Sequence, residues 1–381
     1  MKLSTINPPA MLGMLGGGQL GRFFVIAAHE MGYQVTVLDP DSSSPAGKIA
    51  DVHLCASYDD VSALKQMADT CSAVTTEFEN VPATTLEKLA EATIVRPNAA
   101  SVAIAQNRVL EKNFIKEAGL PVAPFVVINQ AADLPADDSA LYPAILKVAR
   151  FGYDGKGQAR VKSQKEALAA FTQFKQEICV LEQMLPLDLE VSVVLARDAQ
   201  GNVAAFPTVE NSHLNGILDV SIAPARCSEV IKANAQELAK KLASKLDYVG
   251  VLAVEFFLVG PHLLVNEIAP RPHNSGHYTI DACVANQFEQ QVRVTAGLAL
   301  GDAHLHSEAV MVNILGDSWI DGQEPPWHKG FAHPNLKLHL YGKHEPRKGR
   351  KMGHFTVIGK DKQAVLNTAQ IARGELHIGQ A

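Results

Sequence analysis

The stretch ILKVARFGYDGKGQ (Ile145–Gln158) joins an apolar run to a loop that contains three glycines, one lysine and one aspartate. Gly152 and Gly157 have the spacing of a phosphate-binding P-loop, but Gln158 occupies the position where that motif requires lysine. The stretch therefore predicts either a nucleotide-binding loop of a different design or the tip of a flexible hairpin. The rest of the chain has to decide between these two structures.

The composition is that of a globular protein with roughly two or three domains. The 381 residues are 47% apolar and 19% charged, with a mean hydropathy of +0.03. The net charge of -6 and the pI of about 6.2 exclude a general attraction to nucleic acid. No apolar run approaches the roughly 20 residues that span a bilayer, and the N-terminus is a poor signal peptide. We therefore expect a cytoplasmic protein without a nucleic-acid or membrane partner.

Three segments of the chain differ in their predicted secondary structure. Residues 10–97 alternate short β-like runs with helical runs, which is the pattern of parallel βαβ units. A single helix is predicted at about Val102–Ala118, and the runs from Phe125 onward predict an antiparallel sheet with helices on one side. Short strands, a basic loop and a final helix follow. We expect domains at residues 1–100, 101–300 and 301–381.

A glycine cluster, Gly16-x-Gly18-x-x-Gly21, lies between the first predicted strand and the first predicted helix. Asp39 ends the next predicted strand, 18 residues beyond Gly21. This spacing is typical of a dinucleotide-binding fingerprint, in which backbone amides hold phosphate and the acid holds ribose. Glycine also allows close packing in the first βα turn of such folds. The cluster alone therefore predicts either an NAD-dependent dehydrogenase or a structural turn.

Glu255 and Glu267 lie in two apolar runs, LAVEFFLV and LLVNEIA, that predict a hairpin. The two glutamates are equidistant from Pro261, so we expect them to face each other on one side of a sheet. Two opposed carboxylates among apolar residues are destabilising unless a cation lies between them. Mg²⁺ bridged to phosphates fits such a pair, and ion pairs at a sheet edge are the alternative. With Lys147, Lys156 and the glycine-rich loop, the pair predicts a triphosphate site.

Seven segments along the chain together resemble the ATP-grasp superfamily: GGGQLGR, TTEFENVP, GLPVAPF, ILKVARFGYDGKGQ, LEQ, NEIAPRPHNSGH and RKGRKMGH. Two stretches within them, APRPHNSGH and GRKMGH, are similar to the ATP-dependent, biotin-independent carboxylases of purine biosynthesis. The resemblance implies a fold of classes α/β and α+β. Its parts are a Rossmann-like N-terminal domain of parallel βαβ units, a central ATP-grasp domain with two antiparallel sheets, and a small, mostly β C-terminal domain.

The resemblance implies that ATP lies between the two antiparallel sheets. The glycine-rich loop would then close over the phosphates, and Glu255 and Glu267 would hold Mg²⁺. Many ATP-grasp enzymes have a further asparagine ligand two positions after the second glutamate, where this chain has Ala269. The implied ATP-binding residues are Arg108, Lys147, Gly152, Tyr153, Asp154, Gly155, Lys156, Gly157, Gln158, Glu182, Gln183, Met184, Leu185, Glu190, His213, Asn266 and Glu267.

The resemblance also implies an acceptor side. Bicarbonate would bind near Arg271, because a guanidinium holds a planar oxyanion with two parallel hydrogen bonds. The basic stretch KHEPRKGRK would hold the phosphate of 5-aminoimidazole ribonucleotide, although such a stretch is usually a solvated surface. The implied substrate-binding residues are Gln19, Glu77, Tyr153, Asp154, Arg271, Arg350 and Lys351. The implied catalytic residues are Lys147, Lys156, Arg271, His273 and Asn274.

The implied reaction has two steps. Bicarbonate attacks the γ-phosphoryl group of ATP to form carboxyphosphate, which then carboxylates the amine of the ribonucleotide. On this resemblance we expect Mg²⁺ as cofactor, neither NAD nor biotin, a glycine-rich loop that acts as a nucleotide lid, and a homodimer. The alternatives are an ATP-grasp ligase with another acceptor, an NAD-dependent dehydrogenase, and a nucleotide-binding regulatory protein without turnover.

Overall fold

The computed structural model describes residues 5–150, 157–320 and 322–379. The first region forms a parallel sheet of five strands in the order β3-β2-β1-β4-β5. This confirms the predicted βαβ units. The edge strand β3 was not predicted, because it has three residues that are all only partly buried. The elements are β1 (Met11–Leu15), α1 (Gln19–Glu30), β2 (Gln34–Leu38), β3 (Val52–Leu54), α2 (Val61–Thr70), β4 (Ala73–Thr76), α3 (Ala83–Ala90) and β5 (Ile94–Val95).

The prediction of one helix at Val102–Ala118 is wrong. The structure has two helices there, α4 (Ala99–Ala105) and α5 (Arg108–Glu117). Asn107 has an extended backbone, and its side chain accepts hydrogen bonds from the first amides of α5, so it caps a new helix. Arg108 is therefore the first residue of a helix and not an interior one.

The second sheet is antiparallel and has four strands in the order β6-β9-β7-β8. Its strands are β6 (Phe125–Ile128), β7 (Ala144–Val148), β8 (Gln158–Val161) and β9 (Cys179–Gln183). Helix α6 (Gln164–Gln173) covers one face, where Ala167 and Phe171 pack against Leu146 and Leu181. The glycine-rich stretch connects β7 to β8, and residues 151–156 of it lie outside the described part of the chain.

The third sheet has nine strands, and its main path runs β15-β14-β10-β12-β13-β16-β18-β17, with β11 paired to β10. The strands are β10 (Leu189–Arg197), β11 (Val203–Ala205), β12 (Val209–Leu214), β13 (Ile217–Ala223), β14 (Gly250–Val259), β15 (His262–Ala269), β16 (Glu308–Leu315), β17 (Leu336–Leu340) and β18 (Lys351–Gly359). The C-terminal strands join the sheet through β13 and β16, so it is continuous across the domain boundary predicted near residue 300. That boundary stays a prediction.

The prediction of helices on one side is wrong for this large sheet. Helix α7 (Glu229–Lys245) packs Leu242 against Val193 and Val254 on one face. On the opposite face, α9 (Gln287–Ala296) packs Val294 against Val194. The remaining helices are α8 (Thr279–Ala282), α10 (Trp327–Gly330) and α11 (Lys362–Glu375). In the described ranges no helix combines the length and the apolar character needed to cross a membrane.

Helix α9 also connects the first sheet to the third. Its residues Phe288 and Val292 share a buried cluster with Phe23 and Phe24 of α1. Helix α5 makes a second connection, because it contacts both β15 of the large sheet and β9 of the small one. The space near the first turn of α5 is therefore enclosed by residues from both antiparallel sheets.

Candidate active site

One face of the nine-stranded sheet carries polar side chains from one edge of the sheet to the other. Directly paired residues of antiparallel strands point to the same face. Glu255 pairs with Glu267 on one side and with Ser192 on the other. Asn211 pairs with Ser221, and the face continues through β16, β18 and β17. We call this set the polar row: Glu267, Glu255, Glu190, Ser192, Asn211, Ser221, Asn313, His354 and His339.

The predicted pairing of Glu255 with Glu267 is confirmed, but the position of the turn was wrong. The hairpin closes at Val259 and His262, so its centre lies between Gly260 and Pro261. The register shifts between Glu255 and Phe256, which leaves Asn266 as the extra residue of a β-bulge. Without the bulge, Glu255 would oppose Asn266 and not Glu267. The bulge therefore brings the two carboxylates together.

The carboxylate pair has the properties of a cation site. Burial, followed by the charge of Glu267, raises the pKa of Glu255 to about 7. The Oδ1 atom of Asn266 is buried without a hydrogen-bond partner among the described residues. Two carboxylates and an unsatisfied amide oxygen are the oxygen donors that Mg²⁺ accepts, so the residues present fit this ion.

A cluster of positive charge lies on the other side of Glu267. The Nη1 atom of Arg108 is 3.3 Å from Glu267 Oε2. Deeper in the protein, the Nζ atoms of Lys147 and Lys112 each lie 3.1 Å from Glu182 Oε2. Burial alone would raise the pKa of Glu182, but the charges of Lys147 and Lys112 lower it to about 2. The predicted phosphate-binding residues Arg108 and Lys147 are therefore brought together, with Glu182 ionised between two lysines.

Glu111 fastens α5 to the large sheet. Its Oε1 atom accepts a 2.6 Å hydrogen bond from the backbone N–H of Ile268. The side chain is buried, and burial is the main reason why its pKa is raised to about 8. The raised pKa favours the protonated form of Glu111 near neutral pH, and Glu111 holds the helix that carries Arg108 and Lys112.

The remaining predicted ATP-binding residues belong to strands of both antiparallel sheets or directly follow them. Glu190 and His213 are brought together, because Glu190 Oε2 is 2.9 Å from His213 Nδ1. Met184 and Leu185 follow β9, and the backbone N–H of Met184 donates to Pro143 O at 2.9 Å. Gln183 ends β9, and its side chain donates to Ala140 O.

Two predicted loop residues are described. The carbonyl of Gly157 accepts a hydrogen bond from the N–H of Val148, and Gln158 pairs with Lys147 at the start of β8. The other predicted loop residues lie outside the described part of the chain: Gly152, Tyr153, Asp154, Gly155 and Lys156.

The glycine cluster near the N-terminus binds side chains of the protein itself. Glu77 accepts hydrogen bonds from the N–H groups of Gly18 at 2.5 Å and Gly21 at 2.6 Å. The N–H of Gly17 donates to Asp39 at 2.7 Å. A Cβ atom on Gly21 would lie 2.6 Å from the carbonyl oxygen of Gly16. These contacts favour the structural turn over the dinucleotide fingerprint, and they show Glu77 capping the N-terminus of α1.

The predicted acceptor residues meet at the junction of β4, β15 and β18. Arg271 donates two hydrogen bonds to Glu79, at 2.5 and 3.4 Å. The charge of Arg271, and to a smaller extent that of Lys351, lowers the pKa of Glu79, and burial followed by the same two charges lowers the pKa of His273. The Nε2 atom of His273 is 3.3 Å from Glu255 Oε1. The acceptor residues therefore adjoin the carboxylate pair.

The other predicted acceptor residues have different surroundings. The side-chain amides of Asn274 and Asn313 donate to each other's oxygens, at 3.0 and 2.9 Å. Gln19 begins α1 beside Gly18. Arg350 Nη1 donates to the carbonyl of Glu345 at 2.9 Å. The Arg350 guanidinium is thus directed at a carbonyl of its own loop.

Comparison with known proteins identifies the family of this fold and site. Residues 10–106 match the ribonucleotide synthetase preATP-grasp domain, and residues 113–288 match the ATP-grasp domain. Residues 309–368 match the phosphoribosylaminoimidazole carboxylase C-terminal domain. The N5-carboxyaminoimidazole ribonucleotide synthase of Brucella melitensis is 44% identical over 362 residues, which are 94% of this chain and 99% of that protein. The chain belongs to the N5-carboxyaminoimidazole ribonucleotide synthase family.

Other members of the synthase family agree in sequence and in fold. The Bacillus subtilis synthase is 43% identical over 360 residues, 94% of each chain. A crystal structure of an ADP complex of a synthetase of this family has a TM-score of 0.90 at 39% identity, covering 97% of this chain and 98% of that one. The Aspergillus clavatus synthase in complex with ADP and 5-aminoimidazole ribonucleotide has a TM-score of 0.86 at 33% identity, covering 97% and 98%. These matches confirm the predicted ATP-grasp resemblance and fold.

Within this synthase fold, three site residues were not predicted: Lys112, Glu79 and Gln287. Lys112 follows Arg108 by four positions, and this spacing on a predicted helix puts two cations on one face. Glu79 lies two positions after Glu77, and in the sequence nothing distinguishes which of them meets Arg271. Gln287 both accepts from the N–H of His273 and donates to its carbonyl, at 2.8 Å each. No sequence pattern indicates that contact.

Proposed function

We propose that the protein carboxylates the exocyclic amine of 5-aminoimidazole ribonucleotide with bicarbonate and ATP, as a cytoplasmic enzyme of purine biosynthesis. The products are N5-carboxyaminoimidazole ribonucleotide, ADP and phosphate. The proposal rests on one observation, which is that three sets of charged residues adjoin one another. They are the buried lysines at Glu182, the carboxylate pair, and Arg271 with Lys351. The full-length match to a relative that was crystallised with ADP and this ribonucleotide supports the choice of acceptor.

In the first step, an oxygen of bicarbonate attacks the γ-phosphorus, and the bond to the β-phosphate oxygen breaks. Arg108 and Lys147 would neutralise the triphosphate, because the protein contributes to this step mainly by positioning the reactants and neutralising their charge. Glu255 and Glu267 would hold Mg²⁺, with Asn266 adjacent. When bound, that ion neutralises phosphate charge and orients the β- and γ-oxygens.

In the second step, the amine nitrogen attacks the carboxyl carbon of carboxyphosphate and phosphate leaves. The nitrogen loses one proton in the process. Arg271 presents a guanidinium fork that fits the planar carboxylate end of the intermediate, and Glu79 holds that fork in place. Lys351 would bind the ribonucleotide. Exclusion of water matters here, because water hydrolyses a mixed anhydride.

The remaining parts of the proposal concern the loop, the cofactors and assembly. Residues 150–158 would close over the nucleotide as a lid, with Lys156 on its phosphates. The enzyme would use neither NAD nor biotin and would act as a homodimer. The segments 1–100, 101–300 and 301–381 would be its three domains.

The test is ADP release from the purified protein with Mg²⁺, ATP and bicarbonate, with and without 5-aminoimidazole ribonucleotide. We expect strong stimulation by the ribonucleotide that requires bicarbonate, and a carboxylated ribonucleotide in equal amount to ADP. Stimulation by formate in place of bicarbonate, or by biotin in place of the ribonucleotide, would identify another ATP-grasp reaction. An absence of ADP formation with every acceptor would refute the proposed enzyme.

A further inference from the structure

A chain of buried side-chain hydrogen bonds runs from the middle of the polar row to His273. Ser221 Oγ donates to Asn211 Oδ1 at 2.9 Å, and Asn211 Nδ2 donates to Ser192 Oγ at 2.8 Å. Ser192 Oγ then donates to Ser275 Oγ at 2.8 Å. Ser275 Oγ lies 2.9 Å from His273 Nδ1. Ser192, Ser221 and Ser275 are inaccessible to solvent, and Asn211 is 6% exposed.

The donors and acceptors of this chain point in one direction. The amide nitrogen of Asn211 can only donate, so Ser192 accepts from it and gives its own hydrogen to Ser275. Ser275 accepts from Ser192, and its own hydroxyl hydrogen remains available for His273 Nδ1, 2.9 Å away. Ser221 determines the orientation of the Asn211 amide by donating to its oxygen.

A second contact leads to the same tautomer of His273. The backbone N–H of Ser275 donates to His273 Nδ1 at 3.3 Å, and a backbone amide cannot accept. Nδ1 is therefore an acceptor, and the ring proton is on Nε2. The Nε2 atom faces Glu255 Oε1 at 3.3 Å, at the edge of the acceptor space. Gln287 makes two hydrogen bonds to the backbone of His273, and these fix the backbone position from which the ring projects.

We propose that Ser275, Ser192 and Asn211 are positioning residues that hold His273 as the Nε2–H tautomer, so that His273 acts on the acceptor side as a hydrogen-bond donor. Ser192 and Asn211 reach His273 through Ser275, and Ser192 is also the cross-strand neighbour of Glu255, so the tautomer of His273 is the readout that isolates the relay. In this tautomer, Nε2 offers a proton to a carboxylate oxygen and has no lone pair with which to accept one. The catalytic consequence rests on the proposed function, whereas the tautomer does not.

The tautomer is tested directly by ¹⁵N NMR of the histidine side chains in the full-length protein. The chain has 14 histidines, and the His273 signals are those absent from His273→Gln. We expect a protonated Nε2 and an unprotonated, hydrogen-bonded Nδ1. A protonated Nδ1 in the wild-type protein would overturn the proposal, whether or not the protein carboxylates anything.

The relay is tested with Ser192→Ala, Ser275→Ala and the double variant. We expect each single change to increase the population of the other tautomer and to lower kcat for ADP formation by roughly tenfold, with the KM for ATP within about twofold. Because Ser192 acts through Ser275, the double variant should match Ser275→Ala and not the product of both effects. Ser275→Thr keeps the hydroxyl and should retain most of the activity.

The matched control is Ser101→Ala. Ser101 is also a buried serine, and its hydroxyl donates to the carbonyl of Leu246 in a different part of the protein. It should lose similar stability without any change in the His273 signals or in kcat. If Ser192→Ala leaves the His273 signals unchanged, as this control does, or if the two serine effects multiply, the relay does not exist.

Discussion

The two buried regions of the site hold charge of opposite sign. Around Glu182, two lysines share one carboxylate, and their charges lower the pKa of Glu182 to about 2. Around Glu255, burial and a second carboxylate raise its pKa to about 7. Both glutamates lie in strands, Glu182 buried and Glu255 partly buried, and their neighbours account for much of the difference between them. An excess of buried cations beside a pair of partly exposed carboxylates fits a bound triphosphate with its metal ion better than it fits either partner alone.

The largest expected effect is on stability. Glu182→Gln leaves Lys112 and Lys147 buried without a counter-charge, so the free energy of unfolding at pH 7 should fall by about 3–5 kcal/mol in urea titrations. Because the folded pKa of Glu182 is lowered, this contribution is present above the unfolded value of 4.5 and is lost as pH falls towards 2.

The matched variant in the other region is Glu255→Gln. It removes a like-charge contact, so its unfolding free energy should stay within about 1 kcal/mol of wild type or rise. Equal destabilisation by both variants would show that the two regions do not differ in the way described above.

The next effect is on catalysis. Glu267→Gln keeps the size of the side chain but removes one of the paired charges and the partner of Arg108. We expect ADP formation to fall at least about a hundredfold while the circular dichroism spectrum is unchanged, because charge neutralisation supplies most of the rate in phosphoryl transfer. Near-normal turnover would exclude Glu267 from the metal site.

Lys351→Ala tests the acceptor side separately from the nucleotide side. The KM for 5-aminoimidazole ribonucleotide should rise about tenfold or more, and the KM for ATP should change less than about twofold. The matched variant is Arg350→Ala, which removes a side chain that donates to the carbonyl of Glu345. Equal changes in both KM values for Lys351→Ala would remove this lysine from the ribonucleotide site.

The smallest effect concerns Glu111. Its folded pKa is raised from 4.5 to about 8, so its contribution to stability is present below pH 4.5 and lost as pH rises towards 8. Glu111→Gln keeps an oxygen for the N–H of Ile268 and removes the titration. At pH 8 the variant should be more stable than wild type by about 1 kcal/mol or more, and the difference should vanish near pH 4. A difference that is independent of pH would contradict the raised pKa.

Much of the fold was predictable because it depends on local patterns. Alternating apolar runs and helical runs indicated the parallel region, and turn residues indicated the antiparallel hairpins. The break between α4 and α5 was missed because Asn107 lies in an otherwise helical sequence. The sequence does not show whether this asparagine caps a new helix or lies inside one long helix. The position of the turn at Gly260-Pro261 was missed by half a residue for a similar reason.

In the site, too, some features follow from the sequence and others only from the tertiary structure. The sequence indicated the family, through segments such as APRPHNSGH and GRKMGH, and it put both glutamates in one hairpin, but their direct pairing depends on the bulge at Asn266. Only the tertiary structure decided that Glu79 and not Glu77 meets Arg271, that Lys112 shares Glu182 with Lys147, and that Ser192 and Asn211 lead to His273. These contacts join residues from different elements, and their geometry depends on sheet register and helix packing. Register is set by the whole sheet, including the bulge at Asn266, and no local spacing encodes it.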